Sequence, residues 1–467
     1  MTTSHAWCRF IGAGLFCLAT TSLWAGPDPC SPTWYTLGGG VNTGGDVRAL
    51  TTWDPDGPGP LPAVLVAGGF FTSIGGVAAN NIAYWNGDAW QPLGLGVNGA
   101  VRTLGTWDPD GGGPLPASLI AGGTFVTAGG ASALRIARWD GQRWEAMGLG
   151  MNFDVWSITS WDPDGPGGGF SPQVVAVGDF TQAGGTSVNY VARWDGGAWY
   201  PFASGVISPL TAAMSWDPDG SGPHIPRVLV AGATPLTQWV ISLWQSFNPQ
   251  VGGIIGMTTF DPDADGPLEP QLTICGTFSF LSGVTQNRVS RWNGSSWVPF
   301  GTGLGGVMVR SLTTWDIDGA GPVTPSLVAG GSFTTTGSGA AANKVARWDG
   351  TQWLPLGTGL GGGTVVWAVH GWDPDGAGPL PPMMVAAGDF TSAGSQSVRG
   401  IAWWGCREIA ACPGDFNGSG GTPDDADVAA FFEAWGNGDP RADLNGSGGT
   451  PDDADVDAFF GFWNAGC

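Results

Sequence analysis

Trp53-Asp54-Pro55-Asp56-Gly57 returns with small changes from Trp107, Trp161, Trp216, Phe260, Trp315 and Trp372. The copies lie about 54 residues apart, apart from a step before Phe260 that is about ten residues shorter. Self-similarity at a fixed period marks an array of equivalent units, none of which can bury its own faces alone. Around the first copy stand four short apolar runs, Val47–Trp53, Ala63–Phe71, Asn81–Trp85 and Trp90–Leu93. Runs this short, rich in Val, Ile and aromatic residues, are strands. The breaks between them are turn chemistry: the tag itself, then Thr72-Ser73-Ile74-Gly75-Gly76, Asn86-Gly87-Asp88 and Gly94-Leu95-Gly96-Val97-Asn98-Gly99. Asn86-Gly87 and Asp140-Gly141 sit where a tight hairpin needs positive φ. Four strands per unit and seven units predict an all-β chain folded as a seven-bladed β-propeller.

The last unit tests closure. It ends at Trp403-Trp404-Gly405-Cys406, without a fourth-strand element such as Trp353-Leu354-Pro355-Leu356-Gly357. That element stands alone near the start of the chain as Trp34-Tyr35-Thr36-Leu37-Gly38. The N-terminal strand is therefore expected to complete the last blade and remove the open edge. Splitting the intact hairpin Trp348–Trp353 in this way puts Cys30 and Cys406 at one turn, so a Cys30–Cys406 disulfide is expected to pin the ring shut. In the chain-entropy picture a cross-link over so long a loop contributes on the order of several kcal/mol. The fourth unit lacks the Gly-Gly-x-Phe-Thr segment and the Trp-Asp-Gly turn, offering Trp239–Phe247 instead, and a deformed blade is expected there. Ile274-Cys275-Gly276 aligns with Val66-Ala67-Gly68, which makes Cys275 a buried free thiol.

Composition agrees with this reading. Gly (83) and Pro (36) make up about a quarter of 467 residues, a level that would suggest disorder without a period. The 27 Trp and 22 Phe argue for a packed core instead. Sixteen basic residues face 38 acidic ones, a net charge of −22, and Lys344 is the sole lysine. No basic stripe exists for nucleic acid, and adhesion to an anionic membrane is disfavoured. The charge favours cations as partners, Ca²⁺ above all. Residues 1–25 read as a secretory signal, with Arg9, an apolar Phe10–Leu18 and cleavage near Ala25. No later stretch has the ~18–20 apolar residues of a membrane span. The expected organisation is signal 1–25, propeller 30–406, linker 407–411 and tail 412–467, exported to the cell surface or beyond, where disulfides persist.

The tail holds two near-identical segments. Asp415, Asn417 and Ser419 precede Gly420, followed by Asp424, Asp427 and an apolar Val428, Phe431, Phe432. Asp443, Asn445 and Ser447 precede Gly448, followed by Asp452, Asp455 and Val456, Phe459, Phe460. Oxygen donors at loop positions 1, 3 and 5, a Gly at 6 and a late carboxylate make an EF-hand-like Ca²⁺ loop, and the apolar residues after it have helical spacing. This duplicated loop and helix resembles the type I dockerin domain, and with Cys412 and a Gly466-Cys467 end it is similar to the GC-type dockerin tails of secreted planctomycete-like bacterial proteins. The resemblance implies a small α-helical, Ca²⁺-folded docking module whose partner is a cohesin-like or envelope protein. It implies Asp415, Asn417, Ser419 and Asp427 as ligands of one ion, and Asp443, Asn445, Ser447 and Asp455 of a second. Asp424 and Asp452 would act directly or through water. Two departures bear on affinity: Ser419 and Ser447 replace the usual acidic third ligand, and each loop is one residue longer than standard. Beside the resemblance, a Cys412–Cys467 disulfide is expected, with a free terminal Cys467 for covalent attachment as the rival. Units such as Val345–Gly357 resemble kelch-like and Rax2-like repeats across residues 30–406, a likeness of fold that transfers little activity.

No catalytic residue can be assigned. His5, His224 and His370 are the only histidines, and four Tyr are too few for copper-oxidase ligation. The many Asp sit mostly in seven equivalent tags, whereas a catalytic pair should break the repeat; they read as turn formers capping backbone amides. One copy, Asp261-Pro262-Asp263-Ala264-Asp265-Gly266, has the spacing of a hairpin Ca²⁺ site. Arg138, Arg193, Arg291 and Arg347, each before Trp-Asp or Trp-Asn, read as blade-stabilising pairs. The leading expectation is a binding or scaffold propeller, with a glycan as a candidate ligand. The alternative is a polysaccharide-active glycoside hydrolase or lyase delivered by the same tail.

Overall fold

The computed structural model describes residues 32–405, except 58, 60, 114, 166, 220–223, 234, 241, 248–251, 263–268, 282, 318–323 and 375–380, and in the tail 416, 425–439, 442, 444 and 451–465. In the first blade Asp46–Trp53, Val64–Phe70, Ile82–Trp85 and Trp90–Pro92 pair in chain order, each antiparallel to the next. Six further four-stranded sheets repeat the pattern. The seventh takes its outer strand from the N-terminal side: Thr33–Thr36 pairs with Ile401–Gly405, with Trp34 opposite Trp404 and Thr33 opposite Gly405. The first strands of the sheets lie innermost and pack in a closed ring, the seventh returning to the first. The chain is a seven-bladed β-propeller closed by its N-terminal strand, which leaves the last blade without a free edge.

The cores lie between blades. At the first seam, Trp53, Val66 and Ile82 of one blade bury against Val101, Leu119 and Phe125 of the next. Each such side chain contributes roughly 1.5–3 kcal/mol when fully buried. Two tryptophan positions per seam can add directional ties, except between the fifth and sixth blades, where Phe260 replaces the tag Trp and has no N–H to give. The tag Trp donates its indole N–H to the carbonyl before the second strand of the following blade: Trp53 to Ala117, Trp107 to Pro172, Trp161 to Pro226, Trp315 to Pro382 and, across the closure, Trp372 to Ala63, at 2.7–3.3 Å. The outer-strand Trp donates backwards: Trp34 to Leu356, Trp90 to Leu37, Trp144 to Leu93, Trp199 to Met147, Trp244 to Phe202 and Trp353 to Phe300, at 2.8–3.2 Å. Trp216 and Trp297 hold these two places between the fourth and fifth blades, and neither indole N–H has a partner among the described residues.

Four details differ from expectation. The fourth blade is not deformed: Leu210–Trp216, Arg227–Gly232, Thr237–Val240 and Leu243–Ser246 pair in order, and Trp239 meets Trp244 at 5.2 Å. The same Trp pair recurs in every blade at 5.2–5.8 Å, Trp34 with Trp404 included. The missing residues belong to an arm read above as a simple break. In the first blade Ser73–Ile74 and Val77–Ala78 pair as a small hairpin around Gly75 and Gly76, at φ 59° and 79°. The Asn86 turn is a four-residue loop, not a two-residue one. Trp85 pairs with Trp90, Gly87 alone needs positive φ (104°), and the Asn86 side chain accepts the amides of Asp88 and Ala89. Finally, Cys275 lies opposite Gly256 as Gly68 lies opposite Ala49, so the register aligns Cys275 with Gly68 rather than with Ala67. Gly256 makes the room: a Cβ there would come within 2.8 Å of the Cys275 sulfur.

In the tail, helices α1 (Asp425–Gly436) and α2 (Asp453–Ala465) pack through Phe431 and Phe459, whose rings stack at 4.3 Å and 3°. Ala434 and Ala442 are buried with them, and Phe416, Val428, Trp435, Val456 and Trp463 close the sides. Phe431 and Phe459 hold equivalent places in the duplicated segments, so the two halves meet through the same residue.

Candidate functional site

In the tail, Asp427 and Asp455 are both excluded from solvent, each in the first turn of its helix. Around α2 the local chemistry is a helix cap. Asp452 accepts the amide of Ala454 at 2.9 Å, and Asp455 reaches back to the amide of Asp452 at 2.8 Å. Such reciprocal capping satisfies two otherwise orphaned donors. A buried carboxylate requires donors or a cation. Two of them in matching places, at the junction of loop and helix, suit the late ligand of a Ca²⁺ loop. Asp415, Asn417, Ser419, Asp424, Asp443, Asn445 and Ser447 lie outside the described residues, as do Cys30, Cys406, Cys412 and Cys467. Among the described residues no group of three metal-binding side chains gathers.

The tags behave as turn formers. Their first carboxylates accept local amides: Asp54 from Asp56, Asp108 from Asp110, Gly111 and Gly112, Asp162 from Asp164, and Asp217 from Asp219, at 2.7–3.4 Å. The second carboxylates reach forward, as Asp56 does to Leu61 N and Asp110 to Leu115 N. Burial opposes ionisation of Asp108, but the amide of Gly112 and the Asp110 carboxyl hold it below the usual carboxylate range. In the variant copy, Asp261 is described while Asp263 and Asp265 lie outside the described residues. Three of the repeated arginines face partners in their own blades. Arg138 pairs with Glu145 directly across the register at 2.7 Å, Arg193 donates to Gln173 and lies 5.4 Å from the Tyr200 ring, and Arg291 lies 5.6 Å from Phe300. Cys275 is free and buried, and burial pushes its thiol well above the usual range, so it is no nucleophile.

A second site was not foreseen. All seven innermost strands carry a β-bulge at the same place, between Val47 and Ala49, Val101 and Thr103, Val155 and Ser157, and at the four equivalent pairs that follow. A bulge re-aims the residue that it leaves unpaired. The seven re-aimed residues all line one axial cavity of about 420 Å³. Three are Arg48, Arg102 and Arg310, and two are Trp156 and Trp367; Thr211 and Ile255 complete the ring. The guanidiniums stack on the indoles: Arg102 at 3.8 Å from Trp156, and Arg310 and Arg48 at 4.5 and 5.6 Å from Trp367. Arg48 is paired in a fork with Asp46 at 2.8 Å through both contacts, and Arg102 reaches Asp154 at 3.3 Å. His370 lines the same cavity, its Nε2 2.7 Å from Thr52 Oγ1; burial lowers its pKa to about 4, so it is neutral at pH 7.

No protein-family model and no curated protein matches the chain. Among solved structures it is similar to BBS1N in complex with ARL6DN, at 10% identity and a TM-score of 0.48, over 80% of this chain and 98% of that one. It is also similar to the extracellular domain of the one-component system BT4673 from B. thetaiotaomicron, at 9% identity and a TM-score of 0.46, over 79% of this chain and 39% of that one. A third likeness is to the Niastella koreensis GH74 enzyme, at 10% identity and a TM-score of 0.43, over 77% of this chain and 43% of that one. At these scores the fold rests on the strand pairing rather than on the likeness.

Proposed function

We propose that this is an exported, surface-associated propeller that acts as a binding or scaffold module, held to a cohesin-like or envelope protein by a Ca²⁺-dependent, dockerin-like tail at residues 412–467. The observation that supports the tail's role is the matched burial of Asp427 and Asp455 beside the stacked Phe431 and Phe459. Two equivalent carboxylates withdrawn from water at loop–helix junctions suit two Ca²⁺ ions, each bound with the loop oxygens of its own segment. On the propeller, binding is favoured over hydrolysis because the described carboxylates that reach the cavity's arginines and tryptophans are already engaged. Asp46 and Asp154 hold arginines, and Asp179 holds the Trp156 indole at 2.8 Å. A glycosidase needs one carboxyl free to give up a proton and another free to attack or activate water.

Calcium titration of the full chain should find two high-affinity ions. Asp427→Asn or Asp455→Asn should each remove one, and chelation should lower the helical signal while leaving the β signal intact. Unchanged stoichiometry in both variants would sink the tail reading. Hydrolysis of any polysaccharide in a glycan screen would sink the non-enzyme reading instead.

A further inference from the structure

We infer that the axial cavity binds an oxyanion, a carboxylate or sulfate group carried on a ligand small enough to enter the channel. The inference rests on the reading of the propeller as a binding module and adds the class of ligand.

The argument begins with a departure from the repeat. Innermost strands that are otherwise equivalent diverge at the bulged position, where a side chain meets no sheet neighbour and is free to vary. There the blades carry Arg310, Trp367, Arg48, Arg102 and Trp156 in unbroken succession around the ring, from the sixth blade through the closure to the third. The other two blades offer Thr211 and Ile255. One side of the channel is thus cationic and aromatic, the other small and apolar. In a chain with only 16 basic residues and a net charge of −22, three arginines at one level of one cavity are a concentrated exception.

Charge compensation is incomplete. Arg48 and Arg102 have carboxylate partners, whereas no hydrogen bond or ion pair to the Arg310 guanidinium is found among the described residues. The other ionisable groups that act on it are the thiol of Cys275 and two further guanidiniums, Arg102 and Arg48. Burial above all, with the two like charges, lowers its pKa to about 10, which still leaves it charged at neutral pH. The Trp367 indole N–H beside it is also without an acceptor. A guanidinium presents paired N–H donors in a plane that matches carboxylate or sulfate, and partial desolvation strengthens such contacts. Contact with the Trp367 ring, 4.5 Å away, restrains the guanidinium, so less freedom is lost on binding. Held in this way, Arg310 is the primary contact, with Arg48 and Arg102 adding charge from the first and second blades.

The test is titration calorimetry on the full chain in a low-salt buffer containing Ca²⁺, with inorganic sulfate, glucuronate and glucose as probes. Sulfate and glucuronate should bind and glucose should not. Binding of both anions should weaken at least tenfold in Arg310→Gln and in Arg102→Gln, and stay unchanged in Arg143→Gln, which removes an exposed arginine from an outer turn. Near-UV circular dichroism would establish that each variant keeps its tryptophan packing, and Arg102→Gln carries the test if Arg310→Gln does not fold. Glucuronate binding without sulfate binding would assign the site to a sugar-borne carboxylate, and equal loss of both to the oxyanion group itself. Absence of heat with either anion, equal affinity for glucose, or wild-type affinity in both folded arginine variants would overturn the inference. None of these readouts depends on the tail, so glycan hydrolysis or a missing Ca²⁺ site would leave this result separately readable.

Discussion

Trp144 and Trp297 hold the same place in the second and fifth blades, both nearly buried, yet they differ by one hydrogen bond. The Trp144 indole donates to Leu93 O at 2.8 Å, while that of Trp297 has no acceptor among the described residues. Substitution by Phe removes the same atoms at each site. Only at Trp144 does it also remove a hydrogen bond, worth about 0.5–1.5 kcal/mol net, while the Leu93 carbonyl keeps its bond from the Gly96 amide at 3.0 Å. Trp144→Phe should therefore destabilise the protein by about 1 kcal/mol more than Trp297→Phe in denaturant unfolding. Equal losses would mean that these indoles act by packing alone. The same comparison explains how the tryptophans are spent. The Trp pairs and the tag Trp could be placed from the sequence as hairpin and tag positions. Their carbonyl partners could not, because each belongs to a neighbouring blade 42 to 67 residues away, or more than 300 residues away at the closure.

At the scale of the element, the seam between the fourth and fifth blades is the weak one. Among the described residues it lacks both indole bonds, and the fourth blade has no Gly-Gly arm to cover its edge. Its outer strands Thr237–Val240 and Leu243–Ser246 contain no fully buried residue. Local opening follows the elements with least burial and fewest protected hydrogen bonds. Native-state hydrogen exchange should release the amides of these two strands first, well before those of Val174–Val177 in the third blade. Protection at the level of the third blade would contradict this. From the sequence the fourth unit looked deformed because it lacks the familiar signature. Its hairpin nevertheless survives, since Trp239 and Trp244 keep the five-residue spacing that the other hairpins use. The residues absent from this unit belong to an appendage, and the sheet itself is intact.

For the whole molecule, the closure joins the propeller's first and last segments in more than one layer. Thr33–Thr36 completes the seventh sheet on the outside, and on the inside His370 bonds Thr52 across the same seam. The His370 pKa is depressed from 6.5 to about 4 by burial. The unfolded chain therefore binds this proton at a higher pH than the folded one does. The stability that the neutral imidazole contributes is whole above about pH 6.5 and falls as the pH drops toward 4. His370→Gln, which keeps a hydrogen-bonding group, should flatten the loss of stability between pH 6.5 and 4.5 relative to wild type. Parallel profiles would remove His370 as the cause. Blade number, strand count and closure could be read from the chain alone, because turn residues, apolar runs and a displaced outer strand are local patterns multiplied by seven. The acidic tail loops are legible for the same reason, as short donor spacings. The cationic arc is different. Arg48, Arg102 and Arg310 are scattered over more than two hundred residues of an acidic sequence, and nothing local distinguishes them from other arginines. Closing the ring sets seven distant positions around one axis, and the bulge in each innermost strand turns them inward; a charge cluster made by rotation about an axis exists only once the tertiary structure has formed.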